Sequence, residues 1–352
     1  MTFSATLAPG LSIERVLHPV GQGAFYSESF LDQGKTVFTA VYDCGGYKVQ
    51  REKEINKLAK NINFLFVSHF HADHINGIEF LLSKRTVERV IFPIISPCRF
   101  LVDFIRNCTK GDQPSLSFMY RVIPALKSLG NGTEVGGVRY IPRTYGSNKY
   151  PIEDILEWEY VTFYNKTLEQ DKAEAKLLEK LTPLLTFPYG YEDGFLTDED
   201  YRHIAETLAN DPELIKEVKL IYSNTIPGGH NAYSMLVLSH EKTTVGIESH
   251  QFDCLYTGDI KVDDSVLDIA SKHSPDYIQV PHHGSKYSND DRLYSNKQEA
   301  FISVGENNRY RHPAVHVVKH IMETCKRLTL VTENESRPPL SCELNSQHLR
   351  SA

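Results

Sequence analysis

No stretch of this sequence has the continuous apolar length that a membrane-spanning helix requires. The N-terminus lacks a basic segment followed by a long apolar core, so no secretion signal is expected. The six cysteines are scattered, with no Cys-x-x-Cys pair, and this spacing predicts reduced, mostly buried thiols rather than a disulfide framework. The expectation is therefore a soluble, cytoplasmic protein that does not act at a membrane.

Internal repeats, low-complexity tracts and excess positive charge are also lacking. The formal net charge of −7 gives the protein no general attraction for a nucleic-acid backbone, so binding to a polyanion needs a local basic patch or bound metal ions. The 352 residues are enough for a substantial core. Without repeats or linker-like segments, we expect a single domain over residues 1–352.

The most informative stretch begins with a short apolar run, Asn63-Phe64-Leu65-Phe66-Val67, which predicts a buried strand. A dense group of metal-ligating residue types follows within six positions: His69, His71, Asp73 and His74. Imidazole and carboxylate are the ligands that zinc and related metals prefer, and a turn after a strand can direct all of them into one pocket. A polar surface turn with histidines by chance does not explain this spacing. The motif therefore predicts a site that can hold two ions.

This motif resembles the His-x-His-x-Asp-His sequence of the metallo-β-lactamase superfamily. The resemblance implies that His69 and His71 bind one divalent ion, zinc or manganese, and that Asp73 and His74 bind a second. Asp43, at the end of the predicted strand Thr36 to Tyr42, matches an aspartate that lies behind the metal loop in the family. We expect it to orient the ligands by a hydrogen bond, although a turn aspartate before two glycines is the alternative.

Two later strand ends match the same family. Thr257-Gly258-Asp259 resembles the turn that carries its bridging carboxylate, which implies that Asp259 contacts both ions. Pro281-His282-His283-Gly284-Ser285 resembles the segment that carries its last metal ligand. We assign His283 to the metal and His282 to the substrate side, with the reverse assignment left open. Ser285 is expected to contact substrate.

Within the superfamily, the chain is most similar to the hydrolase domain of the competence protein ComEC and its free-standing relatives. The similarity lies in Val20-Gly21-Gln22-Gly23, in Asn231 to Ser234 and in Asn308 to Pro313. The glycines alone favour a hairpin turn over a phosphate site, since no helix is predicted after them. The similarity implies that Asn231 and Ser234 contact substrate. His230 then has two interpretations, a metal ligand displaced by one position or a loop histidine beside the pocket.

The last of these segments contains Arg309, Arg311 and His312 ahead of a helix predicted to have Pro313 at its first position. A helix N-terminus with a histidine and arginines beside it suits an anion, so these residues are expected to bind substrate. A helix cap with exposed arginines is the alternative.

The resemblance covers residues 13 to 96 and 223 to 333, and it implies an α/β fold, the αββα sandwich of the metallo-β-lactamase family. The segment of about 98–222 is expected to be a largely helical insertion, either a lid over the site or a surface elaboration. Helices are predicted from Leu168 to Leu181 after Thr167, from the capping box at Thr197, and from Asp211-Pro212.

The function implied is that of a dinuclear metal-dependent hydrolase. It would use a metal-bridging hydroxide to cleave a phosphodiester in a nucleic acid or a small molecule, with Asp73, His282 and His312 as catalytic residues. The branch that the chain resembles includes a proposed DNA-degrading domain and a phosphocholine esterase. Hydrolysis of a lactone, thioester or β-lactam is the alternative activity, and a metal-containing binding module is the alternative of another class. The sequence names no protein partner.

Overall fold

Two mixed β-sheets lie face to face, with helices on their outer surfaces, in the computed structural model of this protein. The structure describes residues 1–93, 97–110, 133–135, 138–143, 146–152, 155–164, 168–186, 197–225, 234–242 and 252–334. No helix in these ranges is long and apolar enough to cross a membrane. The αββα sandwich expected from the sequence is confirmed.

The first sheet has eight strands in the order β1-β2-β3-β4-β5-β6-β8-β7. Strands β1 to β4 form an antiparallel meander, and β4, β5, β6 and β8 are parallel. The strands are β1 (Thr2–Ala8), β2 (Leu11–Leu17), β3 (Tyr26–Asp32), β4 (Lys35–Tyr42), β5 (Asn61–Phe66), β6 (Thr86–Pro93), β7 (Thr133–Val135) and β8 (Val138–Arg143).

The second sheet has seven strands in the order β15-β14-β13-β12-β11-β10-β9. Strands β12 to β15 are parallel, and β9 to β12 pair antiparallel. The strands are β9 (Gly146–Ile152), β10 (Ile155–Tyr164), β11 (Leu236–Glu241), β12 (Cys254–Tyr256), β13 (Tyr277–Gln279), β14 (Glu299–Ser303) and β15 (Arg327–Val331).

The helices cover the outer faces of the two sheets. They are α1 (Lys48–Ile55), α2 (Ala72–Ile75), α3 (Ile78–Lys84), α4 (Pro97–Lys110), α5 (Leu168–Leu185), α6 (Asp198–Asn210), α7 (Pro212–Thr225), α8 (Asp264–His273) and α9 (Val315–Thr324). Helices α1 and α3 to α7 contribute to the core outside the first sheet, while α8 and α9 pack against the second.

Aromatic rings fill the space between the sheets. Tyr42 of β4 stacks on Tyr256 of β12 with ring centroids 4.7 Å apart, and Phe30 meets Trp158 edge to face at 5.5 Å. Such pairs add about 0.5–1.5 kcal/mol each beyond the area that they bury. Because alternate residues of a strand point to opposite faces, each of these strands supplies one face to this core and the other to the helices.

The segment predicted to be a largely helical insertion contributes to both layers. Its strands β7 to β10 extend the two sheets, and its helices α5 to α7 pack on α4, where Tyr201 meets Phe104 with ring centroids 4.8 Å apart. The predicted capping box is confirmed, since Thr197 Oγ1 accepts the Asp200 backbone N–H and the Asp200 carboxylate accepts that of Thr197. Helix α5 continues to Leu185, four residues past its predicted end, and Thr167 lies outside the described residues.

Candidate metal centre

Four strand ends lie at one edge of the sandwich and carry the candidate ligands. Strands β4 and β5 are neighbours in the first sheet, and the parallel strands β12 and β13 are neighbours in the second. The carboxyl ends of parallel neighbours meet at the same edge of a sheet. The loops that follow these strands are therefore brought together, although Asp73 and His283, for example, are 210 residues apart in sequence.

The metal loop, residues 68–74 after β5, is held by backbone contacts from the loop after β4 and from the loop between β2 and β3. Cys44 donates its backbone N–H to the His74 carbonyl at 2.8 Å, and Ala24 donates to the Asp73 carbonyl at 2.9 Å. Gly45 lies so close that a Cβ there would be 1.9 Å from the Asp73 carbonyl oxygen. Only glycine allows this approach, so the Gly45 position fixes the path of the metal loop.

Two groups of side chains have ligand atoms that all lie within 4.8 Å of one another. One group is His69, His74 and Asp259, and the other is Asp73, His74 and His283. His74 Nε2 is 3.1 Å from Asp259 Oδ1, and His283 Nε2 is 3.3 Å from Asp73 Oδ2. The sequence motifs that were expected to share a metal centre are thus adjacent in space.

Asp259 lies between these groups and presents its two carboxylate oxygens to different histidines. Its Oδ1 faces Nε2 of His74 and, at 3.9 Å, Nε2 of His283. Its Oδ2 faces Nε2 of His69 at 3.7 Å and of His282 at 3.5 Å. A carboxylate in this position can contribute one oxygen to each of two ions. Both histidines of the His282-His283 pair therefore face the same carboxylate.

Hydrogen bonds behind the cluster determine which ring nitrogen of each histidine faces inward. His74 Nδ1 donates to Asp43 Oδ2 at 2.7 Å, and His283 Nδ1 donates to the Ser303 carbonyl at 2.7 Å. Because a carboxylate and a carbonyl only accept, a neutral imidazole at either position keeps its lone pair on Nε2, toward the cluster. Asp43 also accepts the Ser68 backbone N–H at 2.8 Å.

The donor set fits divalent metal. Among the residues that the structure describes, buried His69 Nε2 has no hydrogen-bond partner, while its Nδ1 is 3.2 Å from Ser234 Oγ. Burial and the charge of His74 hold the pKa of His69 well below its ordinary value, so the ring is neutral and able to bind a metal ion. Burial acts to raise the pKa of Asp259, but the charges of His74 and His282 outweigh it and lower that pKa well below its usual range. Neutral imidazole and ionised carboxylate are the forms that bind zinc or manganese.

His71 lies at the side of this cluster. It is buried, and its ring meets that of His69 edge to face with centroids 4.2 Å apart. Neither of the two three-residue groups includes it. Its predicted pairing with His69 on one ion remains a proposal that the neighbouring rings make geometrically reasonable.

His282 and His312 lie at the mouth of the site. The His282 side chain is 25% exposed, its Nδ1 is 2.9 Å from Ser288 Oγ, and its ring centroid is 5.3 Å from that of His312. Burial and the charges of His282 and His283 lower the pKa of His312 to about 4. His312 is therefore neutral near pH 7, with one ring nitrogen able to donate and the other able to accept.

Two predicted substrate-binding residues are buried beside the candidate ligands, and their contact with substrate stays a prediction. Ser234 is 1% exposed and accepts the Asp259 backbone N–H at 3.0 Å, so it can position Asp259. Ser285 is also buried, and its Oγ accepts from the Tyr287 backbone N–H within its own turn. His230 and Asn231 lie outside the described residues.

The segment before α9 also differs from its prediction. The helix starts at Val315 after the N-cap Ala314, so the expectation of Pro313 at its first position was wrong. The Ala314 backbone N–H donates to the Gly284 carbonyl at 2.9 Å, which packs this segment against the His282-His283 turn. Arg309 and Arg311 are exposed at the surface of the same segment.

Sequence reasoning missed two polar residues of α4. Asp103 and Asn107 are buried, and Asn107 Nδ2 donates to the Phe70 carbonyl in the metal loop at 3.3 Å. The charge of Asp103 acts to raise the pKa of His69, which places this carboxylate near the metal centre. The available signal was their spacing of four residues, which puts both on one face of the helix.

Comparison with known proteins adds one family match. Residues 31–97 match the family model described as Metallo-beta-lactamase superfamily. No curated protein shows significant sequence similarity to the chain.

Among solved structures, a long form RNase Z from yeast is 12% identical, with a TM-score of 0.37 over 92% of this chain and 36% of that one. The chain thus spans little more than a third of the yeast protein. Human tRNase Z, short form, is 13% identical, with a TM-score of 0.35 over 90% and 91% of the two chains. A diphosphatase from the PhnP family is 10% identical, with a TM-score of 0.33 over 87% and 72%. TM-scores this low carry no information about function. The chemistry of the candidate site is therefore inferred from its own side chains.

Proposed function

We propose that this protein, whose residues 31–97 match the metallo-beta-lactamase superfamily, is a metal-dependent hydrolase that cleaves phosphodiesters. The observation that carries the proposal is the position of Asp259, one oxygen of which faces His74 and His283 while the other faces His69 and His282. A structural metal site is usually closed by four protein ligands around one ion. A carboxylate shared between two groups favours a hydrolytic centre with two ions instead.

The residues divide between two ions as follows. Following the sequence resemblance, His69, His71 and Asp259 would hold the first, and Asp73, His74 and His283 the second, with Asp259 shared. The last three residues form one of the groups found in the structure, and His74 also lies close to His69 and Asp259. Divalent cations at these positions would lower the pKa of a bound water to near neutrality and offset the negative charge of a phosphoryl group. Asp43 and the Ser303 carbonyl keep the His74 and His283 rings oriented, so the ligands do not have to reorganise during turnover.

The mouth of the site favours an anionic substrate. His282 and His312 can each donate a ring N–H to a non-bridging phosphoryl oxygen, and Lys286, Arg309 and Arg311 are exposed on the two loops that carry these histidines. This local positive charge contrasts with the net charge of −7 of the whole protein. A neutral lactone or thioester gains little from such a rim, so a phosphodiester is the better match.

Activity on a panel of substrates tests the proposal. The purified protein, supplied with zinc or manganese, is assayed on single-stranded and duplex DNA, RNA, a cyclic dinucleotide, a chromogenic diester, a lactone, a thioester and a β-lactam. We expect diester cleavage that Asp73→Asn and Asp259→Asn reduce by more than about 100-fold, beyond the usual effect of outer-sphere changes.

The matched control is Asp264→Asn, the same chemical change on a side chain that is 88% exposed, and it should leave activity unchanged. Turnover restricted to the lactone, thioester or β-lactam would replace the phosphodiesterase with the alternative hydrolase. Binding of metal without turnover of any substrate would favour a metal-containing binding module.

A further inference from the structure

Two exposed tyrosines lie on the loops that form the mouth of the site, each with a cationic side chain over its ring. Tyr287 is 74% exposed, with Lys286 Nζ 4.8 Å from its ring centroid. Tyr310 is 54% exposed, with the Arg309 guanidinium 5.1 Å from its ring centroid and donating to its hydroxyl at 3.0 Å. Neither tyrosine contributes to a hydrophobic core cluster among the described residues.

Both tyrosines belong to the same rim as His282 and His312. The Tyr310 ring is nearly parallel to the His312 ring, at an interplanar angle of 15° and a centroid distance of 6.1 Å. Tyr287 follows the turn that contains His282, and its backbone N–H is bonded to Ser285 Oγ. The two loops are joined by the hydrogen bond from Ala314 to the Gly284 carbonyl, so the tyrosines lie on neighbouring loops that also carry His282 and His312.

Exposed aromatic side chains at this density are not explained by folding. Of the exposed large apolar side chains in the described ranges, three fall within residues 287–315: Tyr287, Tyr310 and Val315. A large ring that is exposed to water does not contribute hydrophobic stabilisation. A single exposed ring is common on protein surfaces and needs no functional explanation. Here two exposed rings, each with a cationic side chain beside it, lie next to a candidate hydrolytic centre. This arrangement suits one particular ligand chemistry.

That chemistry is the recognition of unpaired nucleobases. A base stacks on an aromatic ring or on the plane of an arginine, and nearby cations attract the adjoining phosphates. The Arg309 guanidinium is planar and weakly hydrated, so a base can stack on it while it remains over Tyr310. Paired bases in a duplex present only their edges, and stacking of this kind therefore selects single strands.

We propose that Tyr310 with Arg309 and Tyr287 with Lys286 form a stacking rim that binds unpaired nucleobases next to the scissile phosphodiester. The inference rests on the proposed phosphodiesterase activity and names its substrate class, a diester flanked by unpaired bases. A short single strand and a cyclic dinucleotide both present this chemistry. The rim predicts that the bases contribute to substrate binding, in addition to the phosphate.

Two diesters with the same leaving group isolate the contribution of the base. Thymidine 5′-(p-nitrophenyl) phosphate carries a base and methyl p-nitrophenyl phosphate does not. For Tyr310→Ala and Tyr287→Ala we expect KM for the thymidine ester to rise about tenfold, with kinetics on the methyl ester unchanged. Tyr310→Phe keeps the ring and should retain wild-type KM. Leu220→Ala, which removes an exposed apolar side chain on α7, is the matched control and should match wild type.

An equal loss on both esters in Tyr310→Ala would mean that this ring only supports His312, and would overturn its stacking role. Tyr287 provides an independent check because its Ala variant leaves the Tyr310–His312 contact in place. Unchanged KM for the thymidine ester in both variants would overturn the rim altogether.

Binding measurements separate failure of the rim from failure of the proposed activity. Fluorescence anisotropy compares a short labelled oligothymidylate with an abasic strand of equal charge, each added to the wild type and to the two alanine variants. Tighter binding of the oligothymidylate, lost in the variants, supports the rim even if no ester is cleaved. Equal binding of both strands by wild type overturns it, whatever the catalytic result. Competition by a cyclic dinucleotide or by an unlabelled single strand then identifies which source of bases the rim prefers.

Discussion

Asp43 accepts the Nδ1–H of His74 at 2.7 Å with one carboxylate oxygen and the backbone N–H of Ser68 at 2.8 Å with the other. Asp43 is fully buried, and Ser68 Oγ also donates to it at 2.7 Å. The carboxylate thus connects the strand end after β4 to the first and last parts of the metal loop. It determines both the position of the loop and the nitrogen that His74 presents to the candidate metal centre.

We therefore expect Asp43→Asn to weaken metal binding without removing a ligand. The amide is neutral and can present an N–H to His74 Nδ1, which favours the wrong tautomer of this ring. Loss of such an outer-sphere partner typically costs about 10–100-fold in metal affinity. Competition with a chromogenic chelator measures the affinity, and circular dichroism checks that the fold is retained. Affinity equal to that of wild type would show that Asp43 is only a turn residue.

Metal content tests the shared position of Asp259. We expect the wild-type protein to hold close to two divalent ions per chain, because the two oxygens of this carboxylate face different histidines. Asp259→Asn removes the charge that serves both groups and should lower occupancy at both positions. Elemental analysis after dialysis measures the ratio, with Asp264→Asn treated in parallel. Loss of a single ion from the Asp259 variant, or of none, would contradict the shared position.

The strand ends that carry the candidate ligands could be predicted because each motif is local. The run Asn63 to Val67 predicts β5, which starts two residues earlier and ends one residue earlier, and Thr36 to Tyr42 predicts β4, which starts one residue earlier. A buried strand followed by a turn directs side chains to a sheet edge whatever else the chain does. The sandwich and the adjacency of these loops were implied by the family resemblance that these motifs carry.

What the sequence could not predict depends on contacts between separate segments. The hydrogen bond from the Asp259 backbone N–H to Ser234 Oγ depends on how two loops meet, and the contact of Ser234 with substrate stays a prediction. Asn107 reaches the metal loop only because α4 packs over it. Strands β7 to β10 pair with partners that local sequence cannot specify. The lid function predicted for residues 98–222 stays a prediction, and removing α5 to α7 would expose the apolar face of α4 that packs on Tyr201.

His18 should make stability depend on pH. It is buried against Phe25, with Nδ1 3.1 Å from Glu54 and Nε2 2.9 Å from Ser27 Oγ. Burial lowers its pKa below the ordinary value of 6.5, and the Glu54 interaction only partly opposes this. A lowered pKa means that the unfolded chain binds the proton more tightly. The contribution of neutral His18 is therefore complete above about pH 6.5 and declines as the pH falls below it.

Urea unfolding between pH 7.5 and pH 5 tests whether stability falls with decreasing pH because of His18. The free energy of unfolding of wild type should fall more steeply with decreasing pH than that of His18→Gln, by at most about 1.4 kcal/mol per pH unit for one proton. The glutamine keeps hydrogen-bonding groups but does not titrate. Parallel curves for the two proteins would show that His18 binds protons equally in the folded and unfolded states. A steeper fall in the variant would mean that folding raises the pKa of His18 instead of lowering it.

Glu28 is the centre of a buried polar network between the two sheets. Arg15 Nε donates to its Oε1 at 2.7 Å, Tyr256 OH donates to the same oxygen at 2.9 Å, and Ser239 Oγ donates to Oε2 at 2.6 Å. Tyr160 OH also donates to Oε2, at 2.8 Å. Arg15 is fully buried, so neither charge can be solvated by water if its partner is removed.

We expect Arg15→Met to lower the free energy of unfolding by about 3–5 kcal/mol, since it leaves an unpaired carboxylate between the sheets. Glu28→Gln should also destabilise the protein, because it leaves the Arg15 guanidinium without a counter-charge. The double variant should lose less than the sum of the two single losses, since removing both charges removes the desolvation cost of each. Urea unfolding of the four proteins gives the coupling energy. Additive losses would show that Arg15 and Glu28 stabilise the sandwich independently, through the hydroxyls and carbonyl around them.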